Sequence, residues 1–64
     1  MKVNGKNVEL KNNETIIKLL NNLGVNSDKV VVEVDGIIIP KDDFSKTILK
    51  DICEIEVVSF VGGG

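Results

Sequence analysis

Apolar residues alternate with polar ones at both ends of this chain and fall on a helical period between them. Met1 and Val3, then Val8 and Leu10, each alternate with polar neighbours. Asn4-Gly5 lies between these runs and supplies the two positive-φ positions of a tight hairpin turn, so residues 2–10 predict a β-hairpin. Lys11-Asn12-Asn13-Glu14 is a polar loop. Thr15 follows as a helix N-cap, with Asn13 as the alternative. Ile16, Leu19, Leu20 and Leu23 fall at i, i+3, i+4 and i+7, one apolar face, and Lys18, Asn21 and Asn22 point away from it. Gly24 stands where a C′ glycine closes a helix. The stripe reads as ordinary core, because this is the one clear helix and a sheet needs a cover.

Beyond a connecting loop over residues 25–29, Val30, Val32 and Val34 share one face of a strand. Asp35-Gly36 is a second tight-turn signal, and Ile37-Ile38-Ile39 makes a short strand stopped by Pro40, which removes a ladder donor. Residues 41–46 fit one helical turn anchored by Phe44, and Thr47-Ile48-Leu49 fits a short strand before a Lys50-Asp51 turn. The last strand begins near Cys53. Ile55 and Val57 share one face; Glu54, Glu56, Val58 and Phe60 share the other. With the first set against the helix, Val58 and Phe60 form an exposed docking patch; a bulge that turns Phe60 into the core is the alternative.

That strand runs into Val61 and then Gly62-Gly63-Gly64. Ordering three glycines is costly, on the order of 1–2 kcal/mol each in backbone entropy. Their advantage is thinness. A strip without side chains enters a slot that no other sequence fits, and fully extended it reaches roughly 10 Å. The terminal carboxylate of Gly64 is therefore the expected working group, presented by everything before it.

Composition narrows the chemistry. The 64 residues suit one small domain, near the size where a single core just suffices. Val, Ile and Leu supply 23 residues, of which 18 are β-branched, favouring strands. The net charge is −2, and the eight basic residues are all Lys and scattered, which argues against a nucleic-acid surface. No apolar run approaches a membrane span, and Met1-Lys2-Val3-Asn4 leads directly into patterned sequence, so neither a span nor a leader is expected. With no His and one Cys there is no nucleophile pair, no familiar zinc set and no internal disulfide. A reducing cytosol is the simplest compartment. Cys53 lies among carboxylates without a cationic activator and reads as a small apolar filler. Asp42 and Asp43 read as solvated turn residues rather than a catalytic pair. Chemistry by this chain's own side chains is not expected.

The order β-β-α-β-β-turn-β gives an α+β domain of two layers: a mixed sheet of four or five strands with one main helix on one face. A β-grasp arrangement fits, with the last strand beside the first in the middle of the sheet. The expected division is a domain over residues 1–61 and a flexible glycine tail over 62–64.

Over its full length the chain resembles the sulfur carriers of thiamine biosynthesis, a ubiquitin-like family. The resemblance rests on Val3-Asn4-Gly5-Lys6, on Thr15-Ile16-Ile17-Lys18-Leu19-Leu20, and on Val32-Glu33-Val34-Asp35-Gly36 through Ile39-Pro40. It extends through Ile55-Glu56-Val57-Val58-Ser59-Phe60-Val61-Gly62-Gly63-Gly64. Where such chains often carry a Gly-Asp turn before the last strand, this one has Asp51-Ile52-Cys53. The resemblance implies a carrier cycle. A partner enzyme adenylates the Gly64 carboxylate with ATP, a cysteine-desulfurase relay supplies sulfur to make a thiocarboxylate, and thiazole synthase takes that sulfur. Gly62, Gly63 and Gly64 would enter the partner's active site, and Val58, Phe60 and Val61 would dock. The carrier would need no cofactor of its own, and would be a cytoplasmic monomer when free. Three alternatives remain open: the small subunit of molybdopterin synthase, a modifier joined to target lysines, and a non-covalent β-grasp binding module.

Overall fold

The computed structural model describes residues 1–11 and 14–60. Val61, Gly62, Gly63 and Gly64 lie outside the described residues, as do Asn12 and Asn13.

Asn4 and Gly5 take φ of 51° and 81°, the left-handed pair that a tight hairpin turn requires. Strand β1 (Lys2–Val3) accordingly folds back antiparallel on β2 (Lys6–Asn7), with Lys2 opposite Asn7 and Val3 opposite Lys6. The ladder is shorter than the alternation over residues 2–10 suggests. Beyond Asn7, Val8 and Leu10 leave the strand and pack half-buried against the core.

Helix α1 (Ile16–Leu23) starts and stops on the residues expected of it. The Thr15 side chain accepts the Lys18 N–H at 3.3 Å, and Gly24 takes φ of 74° at the other end. The N–H groups of Gly24 and Val25 donate to the carbonyls of Asn21 and Leu20, so the last turn leaves few orphan acceptors. Ile16, Leu19 and Leu20 are fully buried, whereas Leu23, at the last helical position, is 43% exposed. The fourth residue of the stripe thus reaches past the cover that the sheet provides.

Strands β3 (Val30–Val34) and β4 (Ile37–Ile39) form the second hairpin around Asp35-Gly36, again with both φ values positive, 52° and 83°. Strand β5 (Glu54–Ser59) then runs between β1 and β3, parallel to the first and antiparallel to the second. The sheet order is β2-β1-β5-β3-β4, five strands with the last at the centre. On its inner face Val3, Val30, Val32 and Ile55 meet Ile16, Leu19 and Leu20 of the helix in one cluster.

The crossover from β4 to β5 closes that cluster. A 3₁₀ turn at Lys41–Asp43 places Phe44 in the core at 3% exposure, as anticipated. Thr47-Ile48-Leu49 is not a strand. Ile48 makes a single bridge to Thr15, Ile16 donates its N–H to Thr47, and Leu49 donates its own to the Glu14 carbonyl. These residues are spent on the helix entrance, not on the sheet. Glu14, read as part of a polar loop, is itself buried at 3%. Its carboxylate accepts the Lys11 N–H at 3.1 Å and the Asn22 amide at 3.5 Å, which meets the hydrogen-bonding demand of a buried carboxylate.

Candidate functional site

The candidate site is the far end of β5, where the chain leaves the sheet toward the glycines. Alternation along a strand sends Ile55 and Val57 inward and Glu54, Glu56 and Val58 outward. Ile55 is 1% exposed and Val57 half-buried, while Val58 is 56% and Phe60 60% exposed. No bulge turns Phe60 inward. The Phe60 N–H donates to the Lys29 carbonyl at 3.1 Å, which continues the pairing with the β3 side one step past Ser59. Of the predicted docking residues, Val58 and Phe60 therefore stand on the outer face together; Val61 and the three tail glycines lie outside the described residues.

Two turn side chains hold β5 in place, one from each neighbour. Asn4 ends β1, and its amide replaces the next residue of that strand: the Val57 N–H donates to Asn4 Oδ1 at 2.8 Å, and Asn4 Nδ2 donates to the Val57 carbonyl at 3.2 Å. Asp35 does the matching work at the start of β5. The Glu54 N–H donates to Asp35 Oδ1 at 2.9 Å, and the Asp35 N–H donates to the Glu54 carbonyl at 2.8 Å. Each of these residues supplies a positive φ to its own turn and hydrogen bonds to the central strand. Sequence shows the first role; the second depends on which strand lies alongside. Asn4→Ala is expected to lower stability by roughly 1–2 kcal/mol, through two lost hydrogen bonds and a strained left-handed alanine. Urea unfolding checks it, with faster amide exchange at Val57 as the local signature.

Concavities open near both ends of β5 among the described residues. A cleft of about 370 Å³ near the tail end is lined by Gly24, Val25, Asn26, Lys29, Val30 and Ser59. Another, of about 280 Å³, lies at the opposite end of β5 among Met1, Asp51, Ile52 and Cys53. Cys53 is buried, and its Sγ accepts the Lys50 N–H at 3.3 Å, so the thiol packs as a small apolar group. The Met1 ammonium pairs with Asp51 at 3.2 Å beside it. Asp42 and Asp43 sit in the 3₁₀ turn, and among the described residues their side chains have no partner, as expected of turn residues. Among the described residues no group of His, Cys, Asp and Glu is placed to hold a metal ion, and no helix is long and apolar enough to cross a membrane.

A five-stranded mixed sheet with a central final strand and one helix on its inner face defines a ubiquitin-like β-grasp domain. The match to known proteins is more specific. The ThiS family profile covers residues 1–64, and the chain belongs to the ThiS family. It is similar to the crystal structure of the thiamine biosynthesis protein ThiS from Geobacter metallireducens, with a TM-score of 0.80 and 33% identity over 98% of this chain and 96% of that one. A solution structure of a thiamine biosynthesis protein from the same organism gives a TM-score of 0.76, also at 33% identity, covering 98% and 85%. Among curated sequences, a thiazole synthase from Paramagnetospirillum magneticum (strain ATCC 700264 / AMB-1) is 37% identical over 62 residues, 97% of this chain but 19% of that protein. The Pyropia yezoensis protein described as "Uncharacterized protein ycf40" is 46% identical over 46 residues, 72% of this chain and 65% of its own length. The chain thus spans less than two thirds of each of these two relatives.

Proposed function

We propose that this protein is the sulfur carrier for thiazole formation in thiamine biosynthesis, acting as a substrate passed between enzymes rather than as a catalyst. The observation that carries the reading is the full-length family match on a fold whose central strand is the last before Gly62-Gly63-Gly64 in the sequence. The name of the thiazole synthase relative supports the acceptor end of the cycle.

The chemistry explains why a carrier is needed. A carboxylate is a poor electrophile because its leaving group would be oxide. An adenylating enzyme joins the Gly64 carboxylate to the α-phosphate of ATP and releases pyrophosphate, so that AMP becomes the leaving group. The terminal sulfur of a cysteine persulfide, loaded by a cysteine desulfurase, attacks the carbonyl and expels AMP. A thiol then cleaves the S–S bond, and the two thiol sulfurs end as a disulfide while Gly64 keeps one sulfur as a thiocarboxylate. Thiazole synthase receives that sulfur, and the glycine carboxylate is regenerated. Val58, Phe60 and Val61 dock the carrier, and Gly62, Gly63 and Gly64 thread the active sites. ATP belongs to the partner, and the cycle runs in the reducing cytoplasm with the free carrier monomeric.

Intact mass spectrometry of the protein isolated from its own cells tests this. A gain equal to sulfur minus oxygen, localised to Gly64, is expected. An isopeptide-linked ladder would indicate protein conjugation instead, and a terminus that no adenylating enzyme accepts would leave a binding module.

A further inference from the structure

Asn4 is the one asparagine in the chain that a glycine follows. An asparagine so placed can react with its own backbone. The nitrogen of the next residue attacks the side-chain Cγ, and glycine, with no Cβ, leaves that approach open. Both residues are exposed, and a side chain at Gly5 would meet nothing within 4 Å, so water reaches the turn freely.

The fold holds the reacting atoms apart. Asn4 Oδ1 accepts the Val57 N–H at 2.8 Å and Asn4 Nδ2 donates to the Val57 carbonyl at 3.2 Å, so the amide is turned across to β5. For Cγ to meet the Gly5 nitrogen, the amide must give up both bonds and fold back over its own backbone. The hairpin meanwhile fixes that backbone at φ of 51° and 81°. We propose that Asn4 is a site of spontaneous deamidation, held in check by its pairing with Val57 and released when the β1–β2 hairpin lifts from β5. The Gly5 nitrogen bonds to Cγ, the Cγ–Nδ2 bond breaks, and ammonia leaves with the proton from Gly5. Water then opens the cyclic imide at either carbonyl, giving aspartate or isoaspartate at position 4 without change of oxidation state. Neither product restores the tie. In aspartate an oxygen stands where Nδ2 donated, and an acceptor faces the Val57 carbonyl. In isoaspartate the main chain runs through the side chain and gains a methylene, which a two-residue turn cannot absorb. A chain that has opened long enough to react thus returns with its central strand less firmly held, whether or not Gly64 carries sulfur.

The test compares the wild-type protein folded and in urea at mildly alkaline pH. Peptide mapping by mass spectrometry follows a gain equal to oxygen minus NH at each asparagine. In urea, position 4 should react faster than every other asparagine. In the folded protein it should react at least about tenfold more slowly than in urea. Asn4→Asp copies one product, and aspartate tolerates the left-handed conformation, so its loss of stability reads the contact with Val57. Its melting temperature should fall by a few degrees. Equal rates at position 4 in the folded and unfolded protein would overturn the proposal, as would a wild-type melting temperature for Asn4→Asp. Should that variant not fold, the two rates of the wild type decide by themselves.

Discussion

Gly63→Val is expected to abolish thiocarboxylate formation while leaving the fold unchanged. On the proposed carrier reading, the tail works by being thin. A valine at position 63 places a branched side chain on the strip that must thread a partner's channel, and it restricts the backbone at the same point. Displacing a reacting group by even an ångström costs on the order of a hundredfold in rate, and here the carboxylate would be kept from the ATP altogether. Among the described residues β5 supplies Ile55 to the buried core, with Val57 packed partly against it, and position 63 lies well beyond both, so the circular dichroism spectrum and the unfolding midpoint should match the wild type. The measurement is pyrophosphate exchange together with intact mass. Normal adenylation by this variant would sink the steric account of the glycines.

Leu20→Ala should do the reverse, undermining the fold while leaving the tail sequence unchanged. Leu20 is fully buried at the centre of the cluster that joins α1 to the sheet. Truncating a leucine at such a site costs about 2–5 kcal/mol, from lost burial and the cavity left behind. A domain of 64 residues has only about 3–10 kcal/mol to lose. A large part of the population should therefore be unfolded at physiological temperature, seen as collapse of amide dispersion in a heteronuclear spectrum. Retention of a wild-type midpoint would mean that the helix contributes far less to this core than its burial indicates.

The two variants separate what the sequence made readable from what it did not. The elements were readable because each carries a local physical signal. Asn4-Gly5 and Asp35-Gly36 specify tight turns, Thr15 and Gly24 bracket a helix, and Val30, Val32 and Val34 mark the inner face of a strand. The outward placement of Val58 and Phe60 followed from the same period-two rule. Register was not readable. Glu33 and Glu56 are 23 positions apart, and only the pairing of β3 with β5 sets them face to face. The second roles of Asn4 and Asp35 stayed hidden for the same reason. Thr47-Ile48-Leu49 misled because β-branched propensity describes a residue's fit to an extended ladder without saying which backbone it will pair with. Glu14 misled because a carboxylate between polar neighbours reads as solvated until the helix folds back over it.

The position of β5 also fixes how the molecule answers to force. Its two neighbours lie along it on both sides, one parallel and one antiparallel, and the side chains of Asn4 and Asp35 add a tie near each end. Tension on the glycine tail, with the body of the domain held, runs along the strand axis. The ladder hydrogen bonds on both flanks then bear the load side by side, in shear, instead of opening one after another as a peeled edge strand would. An enzyme that grips this tail can draw on it hard without unravelling the domain behind it.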